Sequence, residues 1–252
     1  MITVENCPKW LKAIQTQHGI RILRVFWRTI SSLGMCKCHV WCITKTRTNT
    51  KKKTLRSSQG QTERVQKLRI EYWEKVKNID PEDLVFIDEM GVLLGLTRTH
   101  ARSKRGTRVY DFKPYYRGAK VSVIGAISLK KVLSVMTLNG SMDANAYQVF
   151  IEHFLLRQLW TGAVVVMDNL PAHKVAAIKP LIESVGASVL YLSSYSPEFN
   201  PIEHWWSQLK AFLKQFSPKT VSGVDGLIKI ALELINPEHL KNWFTNCCYC
   251  TS

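Results

Sequence analysis

Two short apolar runs, each closed by an aspartate, constrain the fold of this chain most. Leu84-Val85-Phe86-Ile87 ends at Asp88, and Ala163-Val164-Val165-Val166-Met167 ends at Asp168. Runs of this length, rich in β-branched residues, read as buried strands. An acid at the end of such a strand stands at the crevice where α/β sheets assemble their sites. A third carboxylate, Glu203, opens the segment Pro201–Phe216. Ile202, Trp206, Leu209, Leu213 and Phe216 recur there at helical intervals, which predicts a helix with one buried face. Thirty-four residues separate Asp168 from Glu203.

The rest of the chain alternates in the same way. Gln61–Lys77 reads as a helix with Val65, Leu68, Tyr72 and Val76 on one face, and Pro81 follows its end. Val121–Ser128 and Val132–Leu138, split by Lys130-Lys131, read as a hairpin. Asp143–Leu159 reads as a helix with Ala146, Val149, Phe150, His153 and Phe154 facing inward. A helical stretch from about Ala172 is broken or restarted at Pro180. Ser188–Leu192 is a short strand, and Val221 to Phe244 is helical. No internal repeat is visible. The order predicts an α/β fold, a mixed sheet with helices on its faces.

Charge is unevenly placed along the 252 residues, whose net charge is +16. Residues 1–83 carry 17 Lys/Arg against 7 Asp/Glu, residues 84–120 carry 8 against 3, and residues 121–252 carry 10 against 9. No acidic residue falls between Glu5 and Glu63. A basic arm of this kind, with Lys51, Lys52 and Lys53 at its centre, points to nucleic acid; the alternative is a solubilising tail. The segment 98–120 is the second basic stretch. Arg98, Arg102, Lys104, Arg105, Arg108, Lys113, Arg117 and Lys120 are interleaved there with Tyr110, Tyr115 and Tyr116, as in a DNA-contacting hairpin or flap or else a solvated loop.

No run of 18 apolar residues exists, so no membrane span is expected. The first residues lack a secretory pattern, and a reduced, cytoplasmic protein is expected. Seven cysteines, an odd number, argue against a disulfide framework. Cys36, Cys38, His39 and Cys42 lie close together, but their spacing fits no common structural zinc pattern. Cys247-Cys248-Tyr249-Cys250 reads as an ordinary chain end.

Three acids facing a polyanion suggest magnesium, a hard cation that takes carboxylate, water and phosphate oxygens. Two Mg²⁺ ions, with Mn²⁺ as a substitute, would clamp an in-line displacement at phosphorus. Asp88 would lie between the ions, with Asp168 and Glu203 each completing one. Each acid has a plainer reading. Asp88 beside Glu89 is a solvated strand end, and Asp168 before Asn169 and Pro171 is a turn residue. Asn200, Pro201 and Glu203 fit the N-cap, N1 and N3 positions of a capping box. All three plain readings would have to hold together in this order.

Three blocks carry a resemblance: Phe86-Ile87-Asp88-Glu89-Met90-Gly91, Val166-Met167-Asp168-Asn169-Leu170-Pro171-Ala172-His173-Lys174, and Tyr195-Ser196-Pro197-Glu198-Phe199-Asn200-Pro201-Ile202-Glu203. They resemble the catalytic blocks of mariner-type DDE transposases, most of all the bacterial insertion sequence six-thirty family, over about residues 54–245. The resemblance implies a ribonuclease-H-like fold with a five-stranded sheet and catalytic, metal-binding Asp88, Asp168 and Glu203. It also implies cut-and-paste DNA transposition at TA dinucleotides by transposase dimers on inverted-repeat ends, in a bacterial cytoplasm near the nucleoid. His173 would position a phosphate or a water, or else face solvent at a helix start. Asn169 and Asn200 would shape the turns that aim the acids, and Trp205 and Trp206 would be core.

The expected organisation is a helix-turn-helix remnant and basic linker at 1–58, a connecting helix at 59–83, the catalytic domain at 84–217 and a helical extension at 218–252. Residues 21–50 match the family segment poorly. Thr29–Met35 looks like the remnant of a recognition helix, and the stretch reads as damaged coding. An active transposase is therefore set against a DNA-binding relic that represses a parent element, and against a structure-specific nuclease on the same fold.

Overall fold

Strand β1 (Leu84–Leu93) is the centre of a five-stranded sheet that also contains β2 (Lys120–Ser128), β3 (Val132–Asn139), β4 (Val164–Met167) and β5 (Ser188–Tyr191). The order is β3-β2-β1-β4-β5. The first three strands form an antiparallel meander, and β1, β4 and β5 run parallel. This is the mixed, ribonuclease-H-like sheet that was expected. The computed structural model describes residues 58–112, 118–169 and 177–250. All of them belong to one compact unit, residues 56–252. The arm lysines Lys51, Lys52 and Lys53, the Cys36/Cys38/His39/Cys42 cluster, the recognition-helix remnant, Lys113, Tyr115, Tyr116, Arg117 and His173 lie outside the described residues.

Successive side chains of a strand face opposite ways, so β1 feeds two cores. Leu84 and Phe86 enter a core with Trp206, Leu209, Trp243 and Phe244, while Val85 and Ile87 enter one with Tyr147, Ile151, Leu155 and Met167. The first core is covered by α1 (Glu63–Val76) and by three helices from the end of the chain, α4 (Ile202–Phe216), α5 (Val221–Glu233) and α6 (Pro237–Asn246). The second is covered by α2 (Ala144–Val149) and α3 (Ile178–Glu183).

Three local expectations change. After α2 the chain passes through a π-helical turn, Phe150–Leu155, and a 3-10 turn, Leu156–Gln158. Its buried face is Tyr147, Phe150, Ile151 and Leu155, while Val149, His153 and Phe154 are exposed. Turning Tyr147, Ile151 and Leu155 inward removes more apolar area from water than the Ala146, Val149 and His153 face would. Phe216 is exposed because Ser217, in the left-handed region at φ 46°, ends α4 one turn after Leu213. The C-terminal region is two helices: Thr220 caps α5 at Gly223 N, and Asn236 caps α6 at Glu238 N ahead of Pro237. Among the described residues no helix is long and apolar enough to cross a membrane.

Candidate active site

Asp88 lies inside β1 and not at its end. On one side β2 continues past it, pairing Asp88 with Gly125 and running on to Leu93 opposite Lys120. On the other side the β4 pairing ends at Phe86 opposite Val166, and β4 itself stops at Met167. The crevice therefore opens where β4 runs out, with Asp168 next in its chain and Asp88 at the matching level of β1. Antiparallel pairing carried the strand beyond the apolar run, which is why the run alone misplaced its end.

The Asp88 side chain is buried and well partnered. One carboxylate oxygen accepts from the Glu89 backbone N–H at 2.8 Å. The other accepts from Trp206 Nε1–H at 3.1 Å and, more weakly, from Asn200 Nδ2 at 3.4 Å. Burial and then the charges of Glu203 and Asp168 push its pKa up to about 8. Asp168 is half-buried. Glu203 is exposed overall, yet desolvation of its carboxyl and the charge of Asp168 raise its pKa, while Lys210 and His204 lower it. The structure thus brings Asp88, Asp168, Glu203 and Asn200 into one electrostatic neighbourhood. Asn169 is exposed.

The loop before α4 settles the capping-box alternative. No side chain caps α4, its first helical turn follows Pro201 directly, and the Asn200 amide is turned to Asp88. A network holds this loop. Ser193 Oγ donates to Ser196 Oγ at 2.7 Å, and Arg69 Nε donates to the same hydroxyl at 2.8 Å. Arg69 also pairs with Glu198 and lies 5.0 Å from the Phe199 ring centre. Phe199 stacks on Tyr72 at 5.9 Å, and its carbonyl accepts from Tyr249 Oη at 2.6 Å. The C-terminal Cys247–Cys250 segment, read as an ordinary chain end, instead braces the site loop through Tyr249.

Sequence reasoning placed Trp206 in the core only. The signal was available: a buried indole N–H needs an acceptor, and this one follows Glu203 by one helical turn. Trp205 and Trp206 are both buried, stacked with ring centres 4.5 Å apart. The basic residues Arg98, Arg102, Lys104, Arg105, Arg108 and Lys120 are all exposed. No strand forms over residues 98–112, so that part is a loop and not a hairpin.

Among the described residues no three His, Cys, Asp or Glu side chains are gathered tightly enough to form a closed ligand cluster. The donor chemistry nevertheless fits a hard divalent cation. Burial and the charges of Glu203 and Asp168 raise the pKa of Asp88, desolvation and the charge of Asp168 raise that of Glu203, and Asn200 Oδ1 is a buried oxygen with no hydrogen-bond partner. Magnesium commonly takes only one or two carboxylates and completes its shell with water and substrate phosphate.

The sequence pattern of the DDE superfamily endonuclease family matches residues 83–223. The chain belongs to this family. Among solved structures it is similar to a pre-cleavage Mos1 transpososome, with a TM-score of 0.71 and 15% identity over 98% of this chain and 85% of that one. It is also similar to the Mos1 strand transfer complex, with a TM-score of 0.67 and 15% identity over 98% and 84% of the two chains. A mariner Mos1 paired end complex with Mg gives a TM-score of 0.71 and 15% identity over 87% and 70%. At this identity the likeness defines the fold. No curated protein sequence matches the chain.

Proposed function

We propose that this protein is a metal-dependent DNA transposase that cleaves element ends and joins them to target DNA. The observation that carries the reading is the convergence of three acids: Asp88 and Asp168 at the matching level of neighbouring parallel strands, with Glu203 on the flanking helix acting on Asp88 by charge. Asp88, Asp168 and Glu203 would hold divalent metal, two Mg²⁺ ions or Mn²⁺ in their place. When bound, such an ion supplies Lewis acidity to a phosphate oxygen and makes water or hydroxyl a better nucleophile.

The chain's own residues do the rest. Trp206 and Asn200 fix the rotamer of Asp88 by donating to one oxygen. Burial around Asp88 excludes water from one side of the site. The exposed Arg98, Arg102, Lys104, Arg105, Arg108 and Lys120 grip phosphates without reading sequence, so binding weakens with salt. The similar Mos1 structures are paired-end complexes with Mg and with Mn and a strand transfer complex. By analogy this protein is proposed to pair two inverted-repeat ends as a homodimer and to insert at TA sites. Its placement in the six-thirty insertion-sequence group, its bacterial cytoplasmic location and the division into an end-reading region at 1–58, a connecting helix at 59–83, a catalytic domain at 84–217 and an extension at 218–252 belong to the same proposal.

The test is cleavage of supercoiled plasmid carrying the flanking inverted repeats, with Mg²⁺ or Mn²⁺, using Asp168→Asn as the matched control. Metal-dependent cuts at the repeat ends, lost in the variant by a factor of at least about 10², are expected. Salt-sensitive binding with no cutting by the wild-type protein would favour a repressor of a parent element. Cuts at branched DNA lacking repeats would favour a structure-specific nuclease.

A further inference from the structure

The loop between β1 and β2 displays two aromatic rings that the charge reading leaves unexplained. Phe112 is 97% exposed and Tyr110 is 83% exposed, with Val109 half in solvent beside them. Among the described residues neither ring takes part in an aromatic stack or a core cluster. The neck of the loop, by contrast, is fixed. Leu94 N–H donates to Ala119 O at 3.0 Å, and Gly95 N–H donates to Pro218 O at 2.8 Å. Gly118 lies so close to Leu94 that an added Cβ would fall 2.1 Å from its carbonyl oxygen. The loop is thus anchored at its neck, while Tyr110 and Phe112 stand exposed to solvent.

The position of the loop and its charge identify what would cover them. β1 runs five residues past Asp88 before the loop begins, about 17 Å at the rise of a strand, toward the end of the sheet where the acids open. The residues around the rings are basic: Arg102, Lys104, Arg105 and Arg108 precede them, and Asp111 is the one acid between 98 and 120. A second copy of the same loop would be repelled by that charge, whereas a polyanion would be drawn in. Aromatic rings on a basic loop suit unpaired bases, because every base has a face that stacks and duplex bases are already stacked on each other.

We propose that Tyr110 and Phe112 form a stacking platform for unpaired bases of the DNA strand held at the Asp88/Asp168/Glu203 site. The proposal rests on the DNA reading of the chain but does not depend on cleavage. Binding is measured by fluorescence anisotropy with the full chain in EDTA, on a blunt duplex and on the same duplex with a short unpaired tail. The wild-type protein prefers the tailed DNA. Tyr110→Ala/Phe112→Ala loses about tenfold in affinity for the tailed DNA and changes little on the blunt one. Tyr110→Phe/Phe112→Tyr retains the preference.

Both rings are exposed, so these substitutions leave the core intact. Equal binding of both duplexes by the wild-type protein overturns the proposal. So does equal weakening on both by the alanine pair; if sedimentation then shows loss of a dimer, the rings belong to a contact between copies. Binding to neither duplex by the wild-type protein would remove the DNA reading as a whole.

Discussion

Asp88 concentrates the electrostatic conflict of this molecule. It is buried, it accepts from Glu89 N, Trp206 Nε1 and Asn200 Nδ2, and the charges of Glu203 and Asp168 act on it. Hydrogen-bond donors favour its ionised form, but burial and the two neighbouring carboxylates outweigh them and lift the pKa to about 8. Between the ordinary carboxylate value of 3.8 and about 8 the folded chain therefore holds a proton that the unfolded chain has lost. Stability must fall as pH rises through that window. Urea unfolding in EDTA is expected to give lower stability at pH 8 than at pH 5, and Asp88→Asn is expected to flatten the decline. Mn²⁺, which competes with the proton for the carboxylate, should raise the melting temperature more at pH 8 than at pH 6. An unchanged pH profile in Asp88→Asn would show that Asp88 is not the titrating group. The acids themselves were legible in the sequence because each follows an apolar run or opens an amphipathic one. That a buried Trp206 needs an acceptor was legible as well, but that Asp88 supplies it was not, because the two lie 118 residues apart in the chain.

At the scale of elements, the approach of α4 to the sheet decides the site geometry. Gly125, opposite Asp88 on β2, leaves room for the stacked Trp205 and Trp206 rings. A Cβ there would stand 2.7 Å from a Trp205 ring carbon and 2.8 Å from a Trp206 ring carbon. Gly125→Ala is therefore expected to cost about 1–3 kcal/mol by overpacking, read as a lower urea midpoint. It should also displace Trp206 from Asp88, visible as a change in tryptophan fluorescence. A variant with wild-type stability and spectrum would mean that the helix has slack against the sheet. The helical period predicted the buried face of α4 as far as Leu213, because that periodicity is local. It misjudged α2, where Tyr147 and a π-helical turn rotate the inward face. It could not measure β1, whose length is set by pairing with β2.

At the scale of the whole molecule, the ends of the described unit close around the site loop. α1 contributes Arg69, Tyr72 and Trp73, and the turn after α6 contributes Tyr249, whose hydroxyl meets Tyr72 Oη at 2.6 Å and Phe199 O at 2.6 Å. Tyr249→Ala removes both hydrogen bonds and a large buried ring. It is expected to destabilise the fold by about 3–5 kcal/mol, read by thermal melting, whereas Tyr249→Phe should cost about 1 kcal/mol. Equal effects would assign the brace to hydrogen bonding alone. The strand runs, the buried face of α4 as far as Leu213, the basic charge and the three acids follow from residues near one another in the chain, so the sequence by itself determined them. The confinement of Asp88 by Trp206 and Asn200, the room that Gly125 leaves for two indoles and the service of Tyr249 to a loop 50 residues away were decided only by the tertiary structure. Those contacts form between residues that no local pattern links, and a shared core brings them together.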